Sequence, residues 1–303
     1  MPLQKVILVG ANGKLGPALL DAFFVAKTYA ITVLSRHSST SKYPDSVRVV
    51  YVSDDPDTEE LARALQGQDA VVVAFAGTLS GLQIRLADAA VQAGVKRFIP
   101  ADYGSCDSSS PRALKLMPLY GEKKKVREHL QQLASSSGLS WTSLICGHFF
   151  DYGLKSGLLQ VDLKLRKAKI FDGGEIRWST TTVGTIALAV VRILQKEEET
   201  KNRLLYIQSV CITQNELVQS LERNSGQEWQ VEHINSDEFI KEVKAVVDKD
   251  PSYREGRENL VSVVGILDAN WEGKADFANS LLGLDEEHLD PLVKNILAET
   301  KSM

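Results

Sequence analysis

Cysteine is scarce in this chain: Cys106, Cys146 and Cys211 are three in 303 residues. They stand far apart, in no CxxC spacing and with no histidine pattern nearby. That excludes a disulfide framework and a thiolate zinc site, and it fits reduced thiols in a cytoplasmic protein. No metal is expected. Long apolar runs are missing as well. Only residues 6–9 follow the opening Met-Pro-Leu-Gln-Lys as an apolar core, too few for a signal peptide, and no stretch reaches the roughly 18 apolar residues of a membrane span. Positive charge is not in excess, since 35 Lys and Arg face 39 Asp and Glu, for a net charge of −4. The densest basic run, Lys123-Lys124-Lys125, has three members, which is no nucleic-acid stripe. Repeats and low-complexity linkers are absent. The remainder is an ordinary globular composition, 44% hydrophobic and 24% charged. It is long enough for one large α/β domain with a smaller part. The expected partner is a small-molecule substrate, not nucleic acid or a membrane, and any self-association is expected to be a homodimer.

What is present is a strand–helix alternation over the first 150 residues. Short apolar runs at 6–9, 31–34, 47–52, 69–75, 97–99 and 141–145 are separated by helical spacing at 15–26, 58–65, 82–93 and 119–135. The runs are continuous, not alternating, which marks strands buried on both faces of a parallel sheet. Their order predicts an α/β, Rossmann-type doubly wound fold. After residue 150 the pattern loosens. A turn at 171–174, a helix at 182–194, a strand at 204–207 and a capping-box spacing from Thr213 to Glu216 are legible, and the rest reads as mostly helical. No boundary stands out. The expected organisation is therefore a Rossmann domain over 1–150, with 179–210 returning to it, interwoven with a smaller α+β substrate-binding part from 151–178 and 211–303.

Gly10-Ala11-Asn12-Gly13-Lys14-Leu15-Gly16 lies between the first strand and the first helix. Gly10 suits a tight turn, Gly13 a close backbone approach to a pyrophosphate, and Gly16 close packing of helix on strand. The helix start beyond them offers free N–H groups and positive dipole to phosphates. The spacing is GxxGxxG and departs from the GxGxxG fingerprint. At the end of the second strand, Ser35-Arg36-His37 and the following 38–42 hold no carboxylate to accept from a ribose 2′-hydroxyl. Arg36 suits a 2′-phosphate instead, with hydroxyls or Lys42 completing its pocket, so the cofactor expected is NADP(H).

Residues 94–104, Gly-Val-Lys-Arg-Phe-Ile-Pro-Ala-Asp-Tyr-Gly, resemble a segment of the NmrA-like and isoflavone-reductase-like atypical short-chain dehydrogenases. Further likeness lies in Lys125-Val126-Arg127, Trp141-Thr142, Cys146-Gly147-His148-Phe149-Phe150, Phe171-Asp172-Gly173-Gly174 and Asn215-Glu216-Leu217-Val218, and it fades after about residue 235. Fungal-type members are the nearest in kind. The resemblance implies NADPH as cofactor, a lysine as general acid or base, and reduction of aromatic or polyketide-like substrates at an electrophilic carbon. The same family includes regulators that bind dinucleotide without turning it over, and a redox-neutral isomerase or dehydratase on this scaffold is a third reading.

The family register places the lysine at Lys123. A second register, the YxxxK spacing of ordinary short-chain dehydrogenases, pairs Tyr120 with Lys124, four residues apart on one helical face. Lys123 lies about 100° from Lys124 around the helix, so one of them faces the chemistry. Ala76, Gly77 and Gln83 after the fourth strand, and Ala101, Asp102 and Tyr103 after the fifth, are expected to border the cofactor. Thr78, Leu79, His148, Phe149, Phe150, Tyr152 and Trp178 are the substrate candidates, and the serine-rich loop 105–111 is a candidate cover.

Overall fold

A computed structural model describes residues 2–301 of the chain. By packing, the chain divides into two units of three segments each. Residues up to 103, 119–144 and 186–205 form the first, while 104–118, 145–185 and 206 onward form the second. Elements are numbered along the chain.

The first unit holds β1 (Lys5–Val9), α1 (Gly16–Ala26), β2 (Ala30–Arg36), β3 (Arg48–Val52), α2 (Thr58–Ala64), β4 (Ala70–Val73), α3 (Ser80–Gln92) and β5 (Arg97–Ile99). Most of α5 (Pro118–Ser136), β6 (Ser140–Ile145), α7 (Val183–Gln195), α8 (Glu197–Thr200) and β11 (Arg203–Tyr206) complete it. The sheet order is β11-β6-β5-β4-β1-β2-β3. The five pairs from β3 through β6 all run parallel. This is the doubly wound topology predicted from the apolar runs, with its change of direction between β1 and β4. All of β4 and β6 is buried. Val71 and Val73 pack with Ile7, Val9 and Phe98 against Leu61 of α2, Leu86 and Ala90 of α3, and Val126 and Leu130 of α5. Each large aliphatic side chain so buried contributes about 1.5–3 kcal/mol.

The second unit holds α4 (Pro111–Leu116), β7 (His148–Phe149), α6 (Phe150–Ser156), β8 (Val161–Asp162), β9 (Lys167–Phe171), β10 (Trp178–Thr181) and β12 (Val210–Ile212). It continues with α9 (Gln214–Ser225), β13 (Gln230–Ile234), α10 (Ser236–Lys249), α11 (Arg254–Asp268), α12 (Asn279–Leu282) and α13 (Leu289–Lys301). Two small sheets, β12-β10-β7 and β13-β9-β8, organise it. Thr213 and Glu216 cap α9 reciprocally, as their spacing predicts.

The segment boundaries differ from those predicted. Residues 104–118, 145–150, 179–185 and 206–210 fall in the second unit, and the reason is hydrogen bonding between distant segments. Gly104 accepts from Cys146 N (3.3 Å), and the Tyr206 hydroxyl donates to Asp107 (2.6 Å). The Ser110 hydroxyl donates to Asp268 (2.9 Å), and that of Ser179 to Gln208 (2.7 Å). The strand β13 has no apolar face to read, since four of its five residues are exposed. Parallel pairing with β9 makes it a strand.

One buried cation ties the far edge of the parallel sheet together. Arg97, 2% exposed, donates from Nε to the Ser140 hydroxyl (2.9 Å) and from Nη1 to the hydroxyls of Thr142 (3.1 Å) and Thr200 (3.0 Å). Its Nη2 donates to the Glu197 carbonyl (2.6 Å). Burial lowers its pKa from the ordinary guanidinium value, with Glu197 and Glu198 opposing. Replacing it with Arg97→Met strips four buried oxygens of a donor, and about 3 kcal/mol of stability is expected to go with them. Urea unfolding with an unchanged m-value checks this; a midpoint equal to wild type would contradict it.

Candidate functional site

The end of β1 and the start of α1 approach each other, and β4, without room for side chains. Gly10 has φ +93°, and a Cβ there would lie 2.7 Å from Phe75 N. A Cβ on Gly13 would lie 2.8 Å from the Ala74 carbonyl oxygen, and one on Gly16 would lie 2.3 Å from the Ala11 carbonyl carbon. Gly13 N donates to Gly10 O (2.9 Å) and closes the turn. Helix α1 then begins with Pro17 in its first turn and no side-chain cap, which leaves its leading N–H groups without an internal acceptor.

A cleft of about 700 Å³ opens at this turn, within the range of ligand sites. Gly10, Asn12 and Gly13 line it, as do Ser35, Arg36, Ala76, Thr78 and Leu79, all expected from the sequence. Ser39, Ser41, Tyr43, Asp54, Asp55 and Arg85 line it too, and sequence reasoning missed most of these. Tyr43 reaches the glycine turn, where its hydroxyl accepts from Asn12 Nδ2 (2.8 Å). Asp54 accepts from the Ser38 hydroxyl (2.5 Å). That hydroxyl holds its carboxyl below the usual carboxylate range, and Arg36 and His37 add to the effect. Arg85 pairs with Asp55 (2.6 Å). Nothing in the spacing of Tyr43, Asp54 or Arg85 announces them, because each arrives from a different loop or helix.

Other expected cofactor residues have other surroundings. His37 stacks on Tyr51, with centroids 5.9 Å apart. Leu15 is core, and Lys14 is exposed. The Gln83 carboxamide is buried and accepts from Ala101 N (2.9 Å), which holds the loop after β5.

Helix α5 separates the lysines. Lys123 Nζ donates to the Asp102 carbonyl oxygen and lies 6.0 Å from the centroid of the buried Tyr120 ring. Its Cε sits 2.7 Å from where a Cβ on Gly77 would be, so the stem passes over the end of β4. Lys124 points outward and pairs with Glu128. The Tyr120–Lys124 register is therefore not assembled: the tyrosine is interior and the lysine is on the solvent face. Glu122 accepts from the Ser80 hydroxyl and from Lys125, which depress its pKa in the order Lys125, Ser80. This fastens α5 to the first turn of α3.

Among the substrate candidates, Thr78 and Leu79 line the cleft. His148, Phe150 and Trp178 do not form the wall predicted for them. They are 2%, 0% and 0% exposed and form core of the second unit. Phe149 and Tyr152 are half-buried in that unit. His148 Nε2 bonds the Ser262 carbonyl (3.1 Å), its ring meets Trp178 edge-on, and a Cβ on Gly265 would collide with it at 2.2 Å. Burial lowers its pKa from 6.5 to about 4, with the Ser262 carbonyl opposing.

A profile described as the NmrA-like family matches residues 2–268. Oxidoreductase aprR of Aspergillus flavus is 36% identical over 235 residues, which span 77% of this chain and 78% of that protein. Oxidoreductase poxI of Penicillium oxalicum is 27% identical over 312 residues, 98% of this chain and 95% of that protein. The solved structure "AtPrR2 with NADP+ and (+)pinoresinol" has the same fold, with a TM-score of 0.77 at 21% identity and coverage of 98% of this chain and 99% of that one.

The buried histidine yields a prediction. With a folded pKa of about 4 against 6.5 unfolded, the unfolded chain binds more protons between those values. Stability therefore rises with pH across that window and falls as pH drops through it, by about 3 kcal/mol in full. Chemical unfolding at pH 7, 5.5 and 4.5 is expected to show this slope flattened in His148→Asn. An identical slope in the variant would show that another group carries it.

Proposed function

The chain belongs to the NmrA-like family, and on that footing we propose that it is an NADP(H)-dependent reductase of a small aromatic or polyketide-like substrate. The observation that carries this reading is the seat of Lys123. Its ammonium is held at the carboxyl ends of β4 and β5 in the first unit, between Gly77 and the Asp102 carbonyl. Ligands of doubly wound folds bind at the carboxyl ends of the strands, near the switch point. The oxidoreductases of Aspergillus flavus and Penicillium oxalicum, and the NADP+-bound relative of the same fold, support it.

The cleft fits the dinucleotide on its own geometry. Three glycines without room for a Cβ let a pyrophosphate come close to the main chain of the turn and the start of α1. Arg36, Ser39 and Ser41 line the part of the cleft at the end of β2 and the loop beyond, where a 2′-phosphate would be held. When bound, NADPH supplies the hydride. The chain's part is to orient substrate and manage the proton. Were hydride delivered to an electrophilic carbon, negative charge would develop on the substrate's oxygen or conjugated system, within reach of the loop that holds Lys123. Lys123 Nζ stabilises that charge and delivers the proton. The Asp102 carbonyl keeps the ammonium in place between turnovers. A non-catalytic dinucleotide sensor has no use for a lysine so placed, and turnover is the reading preferred.

Two measurements test this. Loss of NADPH absorbance against a panel of aromatic ketones, enones and quinone methides is expected to fall by about 10²–10⁴ in Lys123→Ala. Lys124→Ala should stay within about twofold of wild type, as expected for an exposed surface pair. In binding titrations, Arg36→Ala is expected to weaken NADPH by roughly 10–100-fold while leaving NADH unchanged. Tight NADPH binding with no turnover of any compound would favour the sensor, and full activity in Lys123→Ala would remove the lysine from the chemistry.

A further inference from the structure

Helix α5 brings a second cation to the residue that holds Lys123. Lys123 and Arg127 are four apart and share a face. Lys123 Nζ donates to the main-chain carbonyl of Asp102, while Arg127 Nε (3.1 Å) and Nη2 (2.6 Å) both donate to Asp102 Oδ2. The pair is buried, with Asp102 3% and Arg127 8% exposed. The turn they grip is held elsewhere too, since Asp102 N donates to Pro100 O (2.8 Å) and Ala101 N to Gln83 Oε1 (2.9 Å). Asp102 Oδ1 is buried and has no hydrogen-bond partner among the described residues. The carboxylate therefore depends heavily on Arg127.

We infer that Arg127 is a positioning residue for Lys123, fixing through its ion pair with Asp102 the carbonyl that aims the Lys123 ammonium. The physical argument is one of linked costs. A carboxylate left buried without its cation is penalised by several kcal/mol, so it takes a proton or swings toward water. The Asp102 side chain and carbonyl belong to one short turn, and a swing of the first displaces the second. Lys123 then loses its acceptor. A lysine in place of Arg127 is an incomplete substitute, because it cannot present two nitrogens in a planar fork to one oxygen. Arg127 lies outside the dinucleotide cleft, so cofactor binding should be insensitive to it. Among the described residues, the titratable and charged groups seen beside Lys123 are Asp102 from the loop after β5, Tyr120 one turn back on α5, and Arg127, which shares Asp102 with it.

This inference rests on the reductase reading for its catalytic consequence but not for its test. The experiment is the pH dependence of Lys123 acylation by trace acetic anhydride, read peptide by peptide by mass spectrometry in the full chain, with no substrate present. In Arg127→Met the midpoint of Lys123 labelling is expected to move by half a pH unit or more (roughly a threefold change in proton affinity), with a smaller displacement in Arg127→Lys. Lys124 labelling should be unchanged, and NADPH affinity should stay within about twofold. Turnover is expected to fall about 10–100-fold, in kcat more than in KM. Should Arg127→Met not fold, Arg127→Lys, which keeps the charge but not the planar fork, carries the test alone with its smaller displacement in the same direction. A wild-type Lys123 profile in a folded variant overturns the inference. A wild-type enzyme inert toward every substrate overturns the reductase reading alone, and the labelling profile still decides the role of Arg127.

Discussion

The first unit depends on an approach of backbone to backbone that admits no side chain. At the end of β1, a Cβ on Gly10, Gly13 or Gly16 would lie within 2.8 Å of the main chain of Phe75, Ala74 or Ala11 respectively. That closeness lets α1 start directly beyond the strand end, with its first-turn N–H groups left without an internal acceptor. It also sets the end of β4 beside the turn. The residues that follow β4 are those over which Lys123 passes. Filling any of the three glycine positions would push the strand ends apart and widen the distance over which cofactor and lysine must cooperate.

The three lysines illustrate how a helix turns one composition into several environments. Lys123, Lys124 and Lys125 are consecutive, yet they meet the Asp102 carbonyl, Glu128 and Glu122 respectively. The rotation of α5 is set by its buried positions, Tyr120, Val126, Arg127 and Leu130. Lys123 is three residues after Tyr120 and four before Arg127, so it inherits the inward face. The YxxxK spacing fails here for the same reason: Tyr120 is spent on the core, and the residue one turn later sits at the solvent margin of that face.

Most of the parallel sheet was legible because continuous apolar runs have few alternatives, and the glycine turn was legible because its neighbours on both sides were. Arg36 and the absent carboxylate after β2 were readable from local chemistry. Tyr43, Asp54 and Arg85 were not, since their places in the cleft follow from how the loops after β2 and β3 and the helix α3 converge. The second unit was the least legible. His148, Phe150 and Trp178 read as a ligand wall near a strand end, but apolar and aromatic residues beside a strand carry no mark that separates wall from core. The exposed β13 lacks periodicity, and the unit's boundaries depend on hydrogen bonds such as Tyr206 to Asp107 across about a hundred residues of chain. Arg127 stood in plain view in a Lys-Val-Arg segment, but its carboxylate partner lies in another loop.

The account rests on one claim, that the glycine turn, Arg36 and Lys123 serve a single bound dinucleotide. A crystal structure of the chain with NADP+ tests it most directly. The account predicts the pyrophosphate against the glycine turn and the start of α1, the 2′-phosphate on Arg36, and the nicotinamide beside Gly77 with the Lys123 ammonium facing it. Density that put the nicotinamide away from Gly77, or that left Lys123 with no view of it, would contradict the claim.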